Sequence, residues 1–462
     1  MKFTRRQFLR ESTIAAVATA SGIPIRQALA KADEAKEKRA DRKAGRKQVI
    51  SVDVRSGEAL QQAMIKQSGS GGGIIRLATG TTLTCVVRQD SIGEPSTHAL
   101  LVPEGIELDL SGGNLLLDLR SSSYGVRLSN HSAIRNGSVR VIRSEGLPRP
   151  AEQCQAIWHS AISVGAAYGS GGTVAKPGYY STVSDWAMEN LVIEQVAESS
   201  CIQLMSQACN GVIRNIHILD SERAKIGVGL DWGTVGPVGT ADETVPQMKK
   251  LWEKNEISST HPHHILIENI TIGRLGRSVD GNDAGIRCSG CHHITIRNVE
   301  IESAMCAVAL FGGDFGFEFA PDEQRKVAHS GYVVDGVKIK KARLYGLVLN
   351  GSEDNVYRSC LNHGYKSIRD PVHPGLDKPV FRNVVLRGAR SLHSRGIYVT
   401  ATTGPTFEKV DVAQFETGVA VRNWVRSLRF RNGRISDNQK NIEVGGSIEE
   451  PTDVVFEKNI EG

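Results

Sequence analysis

The sequence predicts an all-β chain wound as one right-handed parallel β-helix, a single-stranded solenoid of about ten or more coils with a short N-terminal capping helix. Two observations carry this reading. The pattern apolar-x-Asn-apolar-x-apolar, with substitutions, recurs around Asn136, Asn190, Asn215, Asn269, Asn298, Gly336, Asn383, Lys409, Asn432 and Lys458, at shortest spacings of 23 to 29 residues. Most copies are followed, after a turn, by a second short strand, such as Ile202-Gln203-Leu204, Val228-Gly229-Leu230, Ile286-Arg287-Cys288 and Ile397-Tyr398-Val399. Such units cannot bury an apolar face alone and must stack. An antiparallel sandwich would instead show hairpin turns without a long repeat. A repeated Asn at one corner is expected to form an amide stack inside the coil.

Residues 1–30 hold a basic start, an apolar run from Ile14 to Ile25 broken by Gly22 and Pro24, and the small-residue close Ala28-Leu29-Ala30. The run is too short to span a membrane; the arrangement is that of an export leader. Thr4-Arg5-Arg6-Gln7-Phe8-Leu9-Arg10 resembles the twin-arginine export signal. That resemblance implies the export machinery as a partner and a periplasmic or secreted protein, exported already folded. Residues 31–48 are charged and nearly free of large apolar side chains, a linker rather than a core. The leader and the linker each carry +4, so the whole-chain +6 leaves −2 for the body, residues 49–462. The basic balance therefore gives no nucleic-acid footprint, and no membrane span is expected in the mature protein.

The body opens with Ser56-Gly57-Glu58-Ala59-Leu60 and Met64-Ile65, the spacing of a short amphipathic helix over 56–67. Gly71-Gly72-Gly73 and the strand Ile74-Ile75-Arg76-Leu77 follow. This order resembles the cap and first coil of the pectin-lyase-like β-helix proteins, with Thr79 where a turn proline is usual. A cap is physically required, because an open solenoid end exposes core and unpaired strand edges. Of the eight cysteines, Cys201, Cys288 and Cys306 fall at strand positions where a small thiol packs well, so mostly buried free thiols are expected.

Stacking brings equivalent residues of successive coils about 4.8 Å apart. One outward row should then read Gln203, Gly229, Arg287, Ala309, Val348, Tyr398, Ala420, and the next Met205, Asp231, Ser289, Phe311, Asn350, Thr400, Arg422. Long insertions leave the same strand edge at 165–185, 233–262, 312–330 and 351–379, and functional residues concentrate on such loops. Their aromatic and polar side chains suit a sugar chain, whose faces are apolar and whose edges are polar.

Four chemistries compete. Cys288-Ser289-Gly290-Cys291-His292 has c-type haem attachment spacing. It lies inside a repeat, and packing of that repeat is the expected role, ahead of haem or zinc. Glycoside hydrolysis needs two carboxylates roughly 5 to 9.5 Å apart. Asp231 and Asp314 follow the same strand two coils apart, about 10 Å before loop adjustment, with Glu318 on the same insertion. Asp231 and Asp283 are on the order of 20 Å apart and do not pair. β-Elimination or C5-epimerisation of a uronic acid needs a base and a cation. Arg287, beside the vacant side of Gly229, fits, as do Lys225, His261, His263 and Tyr398. Against this reading, the dense Asp cluster that would announce calcium is missing, although Asp280 and Asp283 could contribute; no cofactor or metal is expected unless the chain is a lyase, where calcium could join. The fourth reading is a non-catalytic carbohydrate-binding solenoid.

Gly281-Asn282-Asp283-Ala284-Gly285-Ile286 resembles the polygalacturonase segment Gly-Asp-Asp-x-Ile, with Asn at the first aspartate and one extra residue. Polygalacturonase Asn-Thr-Asp, Gly-His-Gly and Arg-Ile-Lys segments have no counterparts in the neighbouring coils, so the resemblance covers the scaffold. The expected protein is a polysaccharide-cleaving enzyme, first a glycoside hydrolase. Asp231, Asp314 and Glu318 supply the carboxylates and Arg287 assists. Trp232, Lys225, Asp283, His261, His263, Tyr398 and Asn350 would hold the polysaccharide or oligosaccharide.

Overall fold

The computed structural model describes residues 48–86, 98–119, 124–143, 160–165, 183–194, 200–205, 208–231, 262–276, 283–312, 329–351, 375–447 and 450–457. The expected leader lies outside this set, as do linker residues 31–47 and the candidate residues Trp232, His261, Asp314 and Glu318. No helix of the described residues is long and apolar enough to cross a membrane.

The N-terminal helix forms over Gly57–Gly69. Ser56 caps it, its Oγ accepting the Ala59 N–H at 3.1 Å, and Leu60 and Met64 face the core. The glycine run ends it: Gly71, Gly72 and Gly73 have φ of +100°, +83° and +142°, a backbone that side chains strain. The Gly72 N–H closes the last turn on Gln67 O at 3.0 Å.

From there the chain winds as parallel coils joined in one 26-stranded sheet, with a small two-stranded sheet beside it. One face of the solenoid, called the front here, stacks His98–Val102, Tyr124–Leu128, Ser160–Val164, Ser200–Met205, Ile226–Asp231 and Ile286–Ser289. It continues through 308–311, 347–350, Arg395–Thr400, Thr417–Val421 and Lys440–Val444. Both outward rows expected from the sequence are reproduced pair for pair, from Gln203↔Gly229 to Tyr398↔Ala420 and from Met205↔Asp231 to Asn350↔Thr400. Arg422 lies just past its strand and donates its backbone N–H to Val399 O at 2.8 Å.

After the front strand the backbone turns twice through the left-handed region, at positions five residues apart. Asn210 and Asn215 (φ 51° and 54°), His264 and Asn269 (54° and 57°) and His293 and Asn298 (53° and 51°) are such pairs. Asn tolerates this conformation better than other side chains, which is why the repeat carries it there. The asparagines form a ladder: Asn190 donates to Asn136 at 3.0 Å, Asn215 to Asn190 at 2.8 Å, Asn269 to Asn215 at 3.0 Å and Asn298 to Asn269 at 3.2 Å. The expectation of an interior stack is corrected here. Asn190, Asn215, Asn269 and Asn298 are exposed, because a left-handed corner turns the side chain out of the coil.

Inside, inward side chains stack by type. Phe381, Phe407, Phe430 and Phe456 form a column with ring centroids 5.0, 5.8 and 5.8 Å apart. The Trp186 ring occupies the space of a side chain at Gly211, where an added Cβ would come within 2.0 Å. Cys85, Cys201, Cys209, Cys288, Cys291 and Cys306 are free thiols, all buried, as the strand positions predicted.

Candidate active site

Alternation on the front strands turns Val228 and Leu230, or Ile286 and Cys288, into the core. It leaves Gly229, Arg287 and their row to point outward. Asp231 follows on the same face, one coil from Arg287. The two meet: Arg287 Nη2 stands 3.8 Å from Asp231 Oδ2, with side chains 20% and 16% exposed. The guanidinium carbon of Arg287 lies 5.8 Å from the Phe311 ring centroid. Arg287 Nε is buried without a hydrogen-bond partner among the described residues. A Cβ at Gly229 would lie 2.6 Å from Gln203 Oε1, so a side chain there would require Gln203 to shift. The residue expected to assist thus stands against a carboxylate expected to do the chemistry.

The rest of the face divides in two. Towards the N-terminus it is polar: Arg127, Ser163 and Gln203 continue the row of Arg287. Ser160 Oγ, Ser163 Oγ and Gln203 Oε1 are buried and lack hydrogen-bond partners among the described residues. Tyr124 packs with Met205. Burial raises its phenol well above the usual range; the Arg127 charge works against this and the Asp231 charge adds to it. Towards the C-terminus the face is apolar and aromatic. Ala309, Val348 and Phe311 are buried together, with Tyr345 and Tyr398 packed against them. The Tyr345 and Tyr398 rings lie 5.8 Å apart, and Arg395 stacks over Tyr398 at 5.2 Å while donating to Tyr345 Oη at 3.4 Å.

Asn350 ends its front strand between Phe311 and Thr400. Asp283 is nearly buried, and Lys225 half-buried, at the opposite end of the front strands from Asp231. The structure therefore keeps Asp283 at the far end of the strand from Asp231, as the sequence spacing predicted, and Lys225 stands at that same end rather than beside Asp231. His263 belongs to neither half; it stands at the following corner, stacked on His292. Cys288 and Cys291 of the CxxCH segment lie fully inside the coil, where burial raises the Cys288 thiol well above the ordinary cysteine range.

Sequence reasoning missed Tyr124 and Arg127, although Tyr124-Gly125-Val126-Arg127-Leu128 repeats the alternation of Ile226-Gly227-Val228-Gly229-Leu230. Aligning outward positions from the first coils would have found them. It also missed Arg395 and Tyr345, whose meeting depends on the stack.

No protein-family model matches the chain, and no curated protein matches it in sequence. Solved structures do. A variant of the tailspike protein of E. coli bacteriophage HK620, in complex with a pentasaccharide, is similar at 10% identity and TM-score 0.55, over 88% of this chain and 63% of that one. A second tailspike variant with pentasaccharide gives 11% identity and TM-score 0.54 over the same shares. The A-module of a mannuronan C-5 epimerase from Azotobacter vinelandii matches at 11% identity and TM-score 0.46, over 88% of this chain and 94% of that one. The chain thus spans less than two thirds of the tailspike chains it matches. The tailspike likeness and the topology define it as a right-handed parallel β-helix protein.

Proposed function

We propose that this protein is a carbohydrate-active enzyme that binds a polysaccharide along the front face and cleaves it by hydrolysis. One observation carries the reading: the outward row from Ser163 to Arg287 holds buried polar atoms without hydrogen-bond partners among the described residues, next to an aromatic stretch and to Asp231. Buried polar groups normally find partners, and the hydroxyls of a glycan supply both donors and acceptors. Its ring faces fit Tyr345 and Tyr398. The tailspike of similar fold was solved with a pentasaccharide bound, which supports a solenoid face as a sugar platform.

In this reading Asp231, 3.8 Å from Arg287, activates water or stabilises positive charge at the sugar carbon. Asp314, two coils on, protonates the leaving oxygen, and Glu318 stands in reserve on the same segment. Trp232, His261 and Asn350 extend the binding surface. A second reading has its own support in the cations of the face, Arg127 and Arg287. These fit the carboxylate of a uronic acid and hence β-elimination or C5-epimerisation, with calcium as the added cation. The leader supports export by the twin-arginine route to the periplasm or beyond. Replacing Arg5 and Arg6 by Lys together should then leave the precursor in the cytoplasmic fraction.

The test is incubation of the purified protein with neutral, uronic and sulfated glycans, reading new reducing ends and ultraviolet absorbance of unsaturated ends. New reducing ends without ultraviolet absorbance support hydrolysis. Unsaturated ends overturn it in favour of elimination. Saturable binding without any product would leave a carbohydrate-binding solenoid.

A further inference from the structure

Two successive coils place a His-His pair at the same corner. His263 is in register with His292, and His264 and His293 occupy the left-handed position that Asn210 fills one coil earlier. His263 stacks on His292 with centroids 4.8 Å apart and planes 13° off parallel, and His264 on His293 at 4.6 Å and 3°. Within each coil the rings meet edge to edge through nitrogen, Nδ1 to Nδ1, at 2.8 Å for His263 and His264 and 2.9 Å for His292 and His293. One ring nitrogen each from His264, His292 and His293 lies within 4.8 Å of the others.

Stacking explains the spacing between coils, and an N–H···N hydrogen bond explains the nitrogen contact within each coil; neither requires three ring nitrogens gathered from two coils. A first-row metal binds imidazole at about 2.0–2.1 Å. Two nitrogens 2.8 to 2.9 Å apart then subtend an angle of about 90° at the ion, whereas tetrahedral ligands would stand about 3.3 Å apart. Coordination through both nitrogens of one pair would therefore suit neighbouring ligands on a square-planar or tetragonal ion; the third ring has to close towards it, since opposite ligands stand about 4.2 Å apart and the three nitrogens lie within 4.8 Å of one another.

We propose that His264, His292 and His293 form a binding site for a divalent transition metal of tetragonal preference, Cu(II) or Ni(II), with His263 as a fourth available imidazole. The rings are ready ligands. In the metal-free pair one Nδ1 carries the hydrogen that the other accepts; binding through both moves that hydrogen to Nε2, with no net proton released. The surroundings fix the corner: the His293 N–H donates to Ser330 O at 2.8 Å, and the buried Tyr332 hydroxyl donates to Cys291 O at 2.5 Å. Chelation would clamp the two coils that carry Asp231 and Arg287, as a stabilising site independent of the glycan chemistry.

The experiment titrates the chelator-treated full chain with Cu(II), read by calorimetry and by electron paramagnetic resonance. One equivalent should bind saturably, with imidazole-nitrogen hyperfine structure, and should raise the thermal midpoint. His264→Asn and His293→Asn, residues the corner accepts at Asn210, should each weaken binding roughly 100-fold or more and abolish the midpoint shift. His393→Asn, at an exposed corner elsewhere, should change neither. Absence of saturable one-equivalent binding by the native chain overturns the proposal whether or not the variants fold. So does an undiminished nitrogen signal in a folded His293→Asn variant, or a thiolate-to-copper charge-transfer band.

Discussion

The corner ladder and the front face are built from the same coils, yet they use repetition in opposite ways. At the corner, Asn136, Asn190, Asn215, Asn269 and Asn298 are one residue type passing one hydrogen bond along the solenoid. On the front face, successive coils offer Ser163, Gln203, Gly229, Arg287, Ala309, Val348 and Tyr398 at equivalent positions. Stacking rewards identity where each rung must satisfy the next. It rewards difference where the neighbours must together shape a surface for something else. Repetition therefore marks what holds the solenoid together, and departure from it marks what the solenoid presents.

The largest effect that would break this contrast is at Asp231. Asp231→Asn should lower turnover on a cleaved glycan on the order of 10³-fold, about 4 kcal/mol of barrier, while the thermal midpoint stays close to that of the native chain. A collapse of stability with activity retained would make Asp231 a scaffold residue. Next comes Gly211→Ala, which drives a methyl group into the Trp186 ring. It should cost about 3 kcal/mol in denaturant unfolding, and activity should fall only in proportion to the unfolded fraction. Asn215→Ala removes two ladder bonds and leaves a side chain poorly suited to φ 54°. About 1 to 2 kcal/mol of stability should go, and Asn215→Gly, which accepts that backbone, should recover part of it. On the front face, Tyr398→Ala should raise KM about tenfold, near 1.4 kcal/mol, with stability little changed; an effect on kcat alone would argue against a binding role.

The smallest effect lies at the foot of the ladder, where Asn136 donates to Asp109 Oδ1 at 3.0 Å. Burial works to raise the Asp109 carboxyl. Hydrogen bonds from Asn136, the Ser111 N–H and Arg76, with the Arg76 charge, outweigh it and hold the group below its ordinary 3.8. A carboxyl depressed on folding adds stability that is fully present above its unfolded value and is lost as pH falls through the folded one. The acid limb of unfolding should therefore begin below about pH 4 and be shallower in Asp109→Asn; an unchanged limb would remove Asp109 from the ladder's energetics.

Much of this was legible beforehand. The Asn period, the Leu60 and Met64 spacing, the glycine run and the alternation of Ile202, Val228 and Ile286 each act over a few residues, so the coil and its register could be written down from them. The Asp231–Arg287 contact was only half legible. Alignment put the two on one face in adjacent coils, but each was assigned a separate duty, because spacing gives rows and not the reach of a guanidinium across a glycine. The asparagine ladder was expected inside and runs outside, since φ at the corner decides which way the amide points.

By itself the sequence determined the solenoid, its coil boundaries, its buried thiols and the residues of each outward row, because side chains alternate with period two and the repeat has to stack. Only the tertiary structure decided which of those residues meet. Tyr124 and Asp231 act on one another across more than a hundred residues of chain, and His263, His264, His292 and His293 gather at one corner from two coils. Coil stacking turns such sequence separations into a few strand spacings of about 4.8 Å each, and the insertions that set the separations leave no periodic trace from which the meeting points could be read.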